Sequence, residues 1–220
     1  LIIRIALITR IKAYYKSIRV IRKIRVIKNM KAKSIKGKST TEINKALQQC
    51  MADGYTPTLA IVFLSIKQDY KAICKLMDDA GIAVFGCTTN GEFIDEVTEK
   101  GSVAILLLNI NKNYFQIYFE EYPEKNYREI TNSIAHKAKE TFAVPAFFIA
   151  GSNMETDAEE LLFGFEDVVG KDVNVYGSMA GDDFTFAEQF VFTNHHASSR
   201  GMVCIAFDED KIMIKGVATC

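Results

Sequence analysis

The chain has 220 residues, of which 49% are hydrophobic and 25% charged, with 27 basic and 27 acidic side chains. This composition excludes a disordered or collagen-like chain, and the length is enough for a core that needs no disulfides. Residues 1–29 hold nine of the basic side chains and no acidic one, so residues 30–220 carry 18 basic against 27 acidic groups. A body with this negative charge repels phosphate groups, which argues against a nucleic-acid partner.

Residues 1–29 differ from the rest of the chain. They consist almost wholly of Ile, Arg, Lys, Tyr and Val, and isoleucine recurs every third residue from Ile18 to Ile27. One interpretation is a basic amphipathic helix lying on an anionic membrane surface. We favour the other, a basic extension outside a fold that starts at Met30, because the composition changes abruptly there. Arg4 and Arg10 interrupt the apolar residues, so no transmembrane segment is expected.

The first half of the body alternates helices and strands. Ser39 and Glu42 have capping-box spacing and begin a predicted helix that ends at Gly54. The apolar run at residues 59–64 predicts a strand buried on both faces. A helix from Tyr70 to Gly81, a short strand at residues 82–85, and an antiparallel hairpin of residues 102–108 and 115–119 complete this half.

The second half repeats this order. After a helix over residues 124–142 come a strand at 146–150, a helix with capping-box spacing at Thr156 and Glu159, a short strand at 173–176, an added strand near 190–192, and strands at 202–207 and 212–217. We therefore predict an α/β protein made of two related β-α-β-loop-β-β modules, about residues 57–120 and 145–220, which form mixed sheets covered by helices.

Small polar residues follow all four strands that are predicted to be parallel. Ligands of βαβ proteins bind beyond the carboxyl ends of such strands, so we expect a ligand crevice there. The candidate binding residues are Ser65, Gly86, Cys87, Thr88, Thr89, Asn90, Glu92, Ser152, Asn153, Gly177, Ser178, Gly181, Asp182 and Asp183. Acidic side chains beside free loop amides suit a small zwitterion, with its ammonium near Glu92, Asp182 or Asp183 and its carboxylate on amides near residues 86–88 or 177–179. The alternative is that these are ordinary turns.

Two segments carry a resemblance to a known family. Residues 83–93 (AVFGCTTNGEF) and 175–184 (VYGSMAGDDF) resemble the GCS/T-x-GE and GG-x-AGDD elements of the FIST N-terminal domain, with Ser178 where glycine is usual. The resemblance extends over about residues 30–220. It implies a sensory domain that binds a small ligand, of which amino acids are the candidate, and passes a signal to an attached or neighbouring output protein. A FIST C-terminal half normally follows, and we expect it to be absent here.

Cys87 supports a competing enzyme hypothesis. A thiol at a strand end beside a glycine-rich loop could be the nucleophile of an amide or ester hydrolase. It would need a histidine base, but His136 is predicted on the solvent side of a helix, and His195 and His196 occupy a turn in which they point apart. Cysteine is also a common buried residue, so we favour a protein that is not an enzyme.

No metal or cofactor is expected. The five cysteines lack CxxC or zinc spacing, and their odd number indicates a reduced cytoplasmic protein. Residues 208–210 (DED) lack the glycine and distal glutamate of a calcium loop and are predicted to form a turn. Neither dinucleotide-binding nor phosphate-loop motifs occur.

Overall fold

A computed structural model describes residues 30–94 and 97–214. In chain order the elements are β1 (Lys31–Gly37), α1 (Thr40–Ala52), β2 (Leu59–Ser65), α2 (Tyr70–Asp79), β3 (Ala83–Thr89), β4 (Glu92–Ile94), β5 (Val97–Glu99), β6 (Val103–Asn109), β7 (Phe115–Glu121), α3 (Tyr127–Thr141), β8 (Pro145–Gly151), α4 (Ala158–Val169), β9 (Val175–Met179), β10 (Val191–Phe192), β11 (Ala197–Ser198) and β12 (Gly201–Asp208). The predicted surface helix or extension in residues 1–29 lies outside the described residues, and residues 212–214 form no strand.

The described strands form two main sheets and one small ribbon. Sheet 1 has the order β1-β6-β2-β3-β10-β11, sheet 2 has the order β7-β12-β8-β9, and β4 pairs with β5. Among the described strands, only β2 with β3 and β8 with β9 are parallel, as expected for two βαβ units. Helices pack against both main sheets, so the predicted mixed α/β class is confirmed.

The core consists of three clusters of buried residues. They lie between four layers, which are helices, sheet 1, sheet 2 and helices. Helices α1 and α2 cover the outer face of sheet 1, and α3 and α4 cover the outer face of sheet 2. Between the sheets lies a third cluster, in which the rings of Phe85 and Phe148 are 4.8 Å apart. Strand β2 alternates between two clusters, since Val62 packs toward the helices and Ile61 toward sheet 2. Burial on both faces explains its continuous apolar sequence.

The predicted hairpin of residues 102–108 and 115–119 is wrong. Strand β6 pairs with β1 and β2 in sheet 1, whereas β7 pairs with β12 in sheet 2. One turn of 3-10 helix at Lys112–Tyr114 carries the chain from one sheet to the other. The apolar sequence of β6 indicates an interior strand with a neighbour on each side. The pattern does not predict which strands these neighbours are.

Two further features differ from the predictions, namely one strand and the start of one helix. Strand β1 was not predicted, because its sequence is rich in lysine and only Ile35 and Gly37 are buried, as is common on a sheet edge. Helix α4 is capped by Asp157, which accepts hydrogen bonds from the amides of Glu159 and Glu160, whereas the hydroxyl of Thr156 donates to the carbonyl of Ser152.

The division into two modules stays a prediction. None of the described helices has the length and apolarity needed to cross a membrane.

Candidate functional site

The candidate site lies where β3 ends, and β3 is longer than predicted. Residues 86–89 continue the strand, because β2 pairs with β3 as far as Thr89 and β10 pairs with it opposite Gly86 and Cys87. Likewise β9 runs through Gly177 and Ser178 to Met179. The predicted glycine-rich loops are therefore strand at these positions, and the loops themselves begin at residues 90 and 180.

The chain after β9 crosses from sheet 2 to the end of β3. The amide of Gly181 donates to the carbonyl oxygen of Thr88 at 2.8 Å, and that of Asp183 donates to Thr89 at 3.2 Å. The two segments that resemble FIST motifs thus bind each other directly. Because the two segments are about ninety residues apart in the sequence, no local sequence pattern could predict this contact.

Asn90 holds this crossing loop with its side chain. Its Oδ1 accepts the amide of Asp182 at 2.9 Å and that of Phe184 at 3.2 Å. A Cβ on Gly181 would lie 2.6 Å from the same oxygen, so a glycine is required for the loop to come this close. The first motif therefore binds the second through one amide side chain.

Replacing Asn90 by Ala should lower the free energy of unfolding by about 1–2 kcal/mol, because it leaves two backbone amides without their acceptor. Amide hydrogen exchange at Asp182 and Phe184 should become faster. Asn90→Asp keeps an acceptor oxygen and serves as the matched control, with most of the stability retained. Wild-type stability and exchange in Asn90→Ala would show that the loop is held by other contacts.

Glu92 is a buried carboxylate, and both of its oxygens accept hydrogen bonds from other residues of the chain. It is 3% exposed, and its Oε1 accepts the hydroxyl of Thr89 at 2.7 Å. Its Oε2 accepts both the amide and the hydroxyl of Ser102, at 3.0 and 2.8 Å. Oε1 therefore joins β4 to the end of β3, and Oε2 joins it to the segment before β6, a role that resembles a capping group.

The two aspartates of the crossing loop differ in their contacts. The Oδ2 of Asp182 accepts the amide of Ala187 at 2.8 Å and the hydroxyl of Thr185 at 3.1 Å. The Oδ2 of Asp183 accepts the hydroxyl of Ser65 at 2.5 Å. Its Oδ1, however, is buried and has no hydrogen-bond partner among the described residues. Burying a carboxylate oxygen without a donor costs free energy.

Ser152 and Asn153 close the end of sheet 2. The hydroxyl of Ser152 accepts the amide of Gly201 at 3.0 Å, and its carbonyl accepts the hydroxyl of Tyr122 at 2.6 Å. Asn153 has a φ of 82° and accepts the amide of Glu155. The hydrogen bonds recorded for the described chain do not join these two residues to the crossing loop.

Gln189 was missed by the sequence analysis. It ends the same crossing loop, and its Oε1 is another buried acceptor without a partner in the described part of the chain. The neighbouring amide of Phe190 donates to the hydroxyl of Thr88 at 2.9 Å, which holds this end of the loop against β3. No local pattern distinguishes Gln189 from a surface glutamine.

Cys87 lies in the core between the two sheets and is 1% exposed. Burial raises the pKa of its thiol to about 12, so the reactive thiolate is scarce at neutral pH. His136 is exposed on α3, while His195 and His196 interact with other side chains. The hydrolase hypothesis therefore lacks an activated nucleophile at Cys87.

The described residues hold no group of three histidine, cysteine or acidic side chains that could bind a metal. Residues 208–210 form the turn after β12, where Asp208 accepts the amide of Asp210 at 3.1 Å. Cys50, Cys74, Cys87 and Cys204 are free and buried.

The comparisons with known proteins add one match. The family model of the FIST N domain matches residues 58–219, which is more than half of the chain. The matched region starts at the strand β2 and includes both segments that meet at the crossing loop. No curated protein matches the chain.

Proposed function

This chain belongs to the FIST N domain family, a family of sensory domains, and on that basis we propose that it binds a small ligand with a primary ammonium group. Amino acids are the class that fits. The observation that carries the proposal is the buried Oδ1 of Asp183, which has no donor among the described residues. An ammonium group donates three hydrogen bonds and would form a charge-assisted pair with this oxygen.

The same loop offers a second acceptor. Gln189 Oε1 is also buried without a partner within the described chain, so a ligand with several N–H donors suits this loop. Glu92 has both oxygens engaged, and Asp182 uses its Oδ2 within the loop. We therefore place the ammonium at Asp183, with Ser65 holding the other carboxylate oxygen.

The ligand's carboxylate requires donors. The amides of residues 86–88 lie in β3, which has neighbouring strands on both sides. Residues 177–179 lie in β9, which pairs only with β8 among the described strands. We therefore assign the carboxylate to the outer edge of β9, where backbone N–H groups have no neighbouring strand.

The crossing loop is the element that we expect to relay the signal. Asp183, Phe184 and Phe186 have φ values of 58°, 62° and 56°, a left-handed conformation that costs such residues about 1 kcal/mol or more each. A ligand that contacts Asp183 would change the balance between loop arrangements. Phe184 and Phe186 are 60% and 70% exposed, and in this proposal they form the surface that an output protein contacts.

The first test is a thermal-shift screen of the full chain against amino acids and their des-amino analogues. A ligand at about 100 times its dissociation constant adds about 2.7 kcal/mol of stability. That corresponds to roughly 5–10 °C for a domain of this size. Asp183→Asn should abolish this shift, since the uncharged amide also places a donor group against the ligand's ammonium.

Asp172→Asn is the matched control, because Asp172 is an exposed aspartate outside the crossing loop. It should keep the full shift. The proposal fails if Asp183→Asn keeps the shift as well, or if des-amino analogues stabilise the protein as much as the amino acids do. We also propose a cytoplasmic location, which the free cysteines of the described residues support.

A further inference from the structure

A cleft of about 440 Å³ lies between the two sheets, at the end of the strands opposite to Asp183. Its walls include Thr58 and Ala83, at the amino ends of β2 and β3. Ser65 and Thr89 lie at the carboxyl ends of the same strands, where the proposed sensory site is found. The cleft is therefore a separate site, and its volume is in the range of small-molecule pockets.

Hydrogen-bond donors line this cleft. They are the ammonium of Lys112 and the rings of His195 and His196. An imidazole ring keeps an N–H donor in either protonation state. The residues that line the cleft in the described structure include no carboxylate, although Asp78 lies 3.6 Å from the Nε2 of His195. This set of donors favours an anion.

The turn that carries the histidines is held against sheet 1. Asn194 accepts the amide of Val84 at 2.8 Å and donates to the carbonyl of Ile82 at 2.9 Å. The Asn194 side chain thereby takes the place of a paired strand at the start of β3. His195 and His196 follow directly on this fixed backbone, which lowers the entropy lost when a ligand binds them.

The opposite wall is apolar. Phe115, Ile117 and Phe119 alternate along β7 and so share one face of this strand. The ring of His196 stacks on Phe119, with 5.4 Å between the ring centres and 23° between the planes. The cleft thus combines a wall suited to a flat apolar group with donors suited to a negative charge.

We propose that this cleft binds a small aromatic anion, in which a planar ring carries a phosphate or carboxylate group. The ring packs against the β7 side chains Phe115 and Ile117. The anionic group receives hydrogen bonds from Lys112 and from the histidines of the turn, and charge-assisted bonds of this kind are the stronger ones. This site is independent of the amino-acid site at Asp183.

Phenyl phosphate is the probe, titrated into the full chain by calorimetry and by NMR. Lys112→Gln and His196→Ala should each weaken its binding by about tenfold or more. Lys45→Gln removes an equal charge from an exposed position on α1 and should leave binding unchanged. Inorganic phosphate and phenol, each of which has only one half of the probe, should bind at least about tenfold more weakly.

Asp183→Asn should leave phenyl phosphate binding intact, which distinguishes this site from the sensory site. Loss of binding in that variant would place the probe at the wrong end of the strands and overturn the proposal. So would the absence of binding at millimolar probe, or equal affinity in the Lys112→Gln and His196→Ala variants. Equal affinity for inorganic phosphate would overturn the role of the aromatic wall. Thermal unfolding of each variant verifies that it is folded.

Discussion

Gly164→Ala is expected to destabilise the protein by about 3 kcal/mol or more. Gly164 is buried in α4 where this helix crosses α3, and an added Cβ would lie 1.9 Å from the Oγ1 of Thr131 and 2.3 Å from the carbonyl oxygen of Arg128. A carbonyl in a helix cannot rotate away, so the helices must separate and lose packing. At an exposed helix position the same substitution would stabilise by about 0.5–1 kcal/mol, which makes the sign itself a test.

Denaturant unfolding measures this change. Ser133→Ala, at an exposed position of α3, is the control and should alter stability by less than about 0.5 kcal/mol. Adding Thr131→Ala to Gly164→Ala should restore only part of the loss, since the carbonyl of Arg128 remains in place. Unchanged or increased stability in Gly164→Ala would mean that the two helices are farther apart than described.

Gly86→Ala should also lower the free energy of unfolding by about 3 kcal/mol. Here the added methyl group clashes with an aromatic ring, whereas in Gly164→Ala it clashes with a backbone carbonyl. An added Cβ would lie 2.0 Å from Phe192, which is fully buried on β10 and stacks on Tyr70 at 5.3 Å. The ring has no space to move, so β10 must shift away from β3. The consequence is faster hydrogen exchange at the amides of Thr88 and Phe190, which bind the end of β3 to this segment.

A double-mutant cycle tests the contact directly. Phe192→Ala alone removes a buried ring and should cost about 3–5 kcal/mol. In the double variant the new methyl group of residue 86 occupies space vacated by the ring, so the combined loss should fall below the sum of the single losses by at least about 1 kcal/mol. Additive losses would show that Gly86 and Phe192 do not touch.

The helices were predictable because their signals are local. The hydroxyl of Ser39 accepts the amide of Glu42 at 3.2 Å, so Ser39 is the N-cap of α1, whereas the Glu42 side chain accepts the amide of Lys38 and not that of Ser39. Gly81 and Gly170 follow α2 and α4 with φ values of 70° and 106°, a conformation that glycine adopts easily. A few neighbouring residues are enough to begin or end a helix.

Strand partners were less predictable. Apolar residues on both faces identify β6 and β12 as interior strands, yet the same pattern suits any pair of neighbours. Strand β7, from the first half of the sequence, belongs to sheet 2, and β10, from the second half, belongs to sheet 1. Each sheet therefore contains strands from both halves of the sequence. Register and partner depend on the packing of whole layers, and no short segment contains that information.

From the residues and their order one could derive the α/β class, most of the helix ends, and the gathering of polar side chains where β2 and β3 end. Which of those side chains still lacks a partner could not be derived. Ser65 and Asp183 are 118 positions apart, and their hydrogen bond leaves one Asp183 oxygen without a donor, while Glu92 finds donors for both of its oxygens. Hydrogen-bond satisfaction is a property of the assembled layers, because donors and acceptors from distant segments meet only after the sheets have packed.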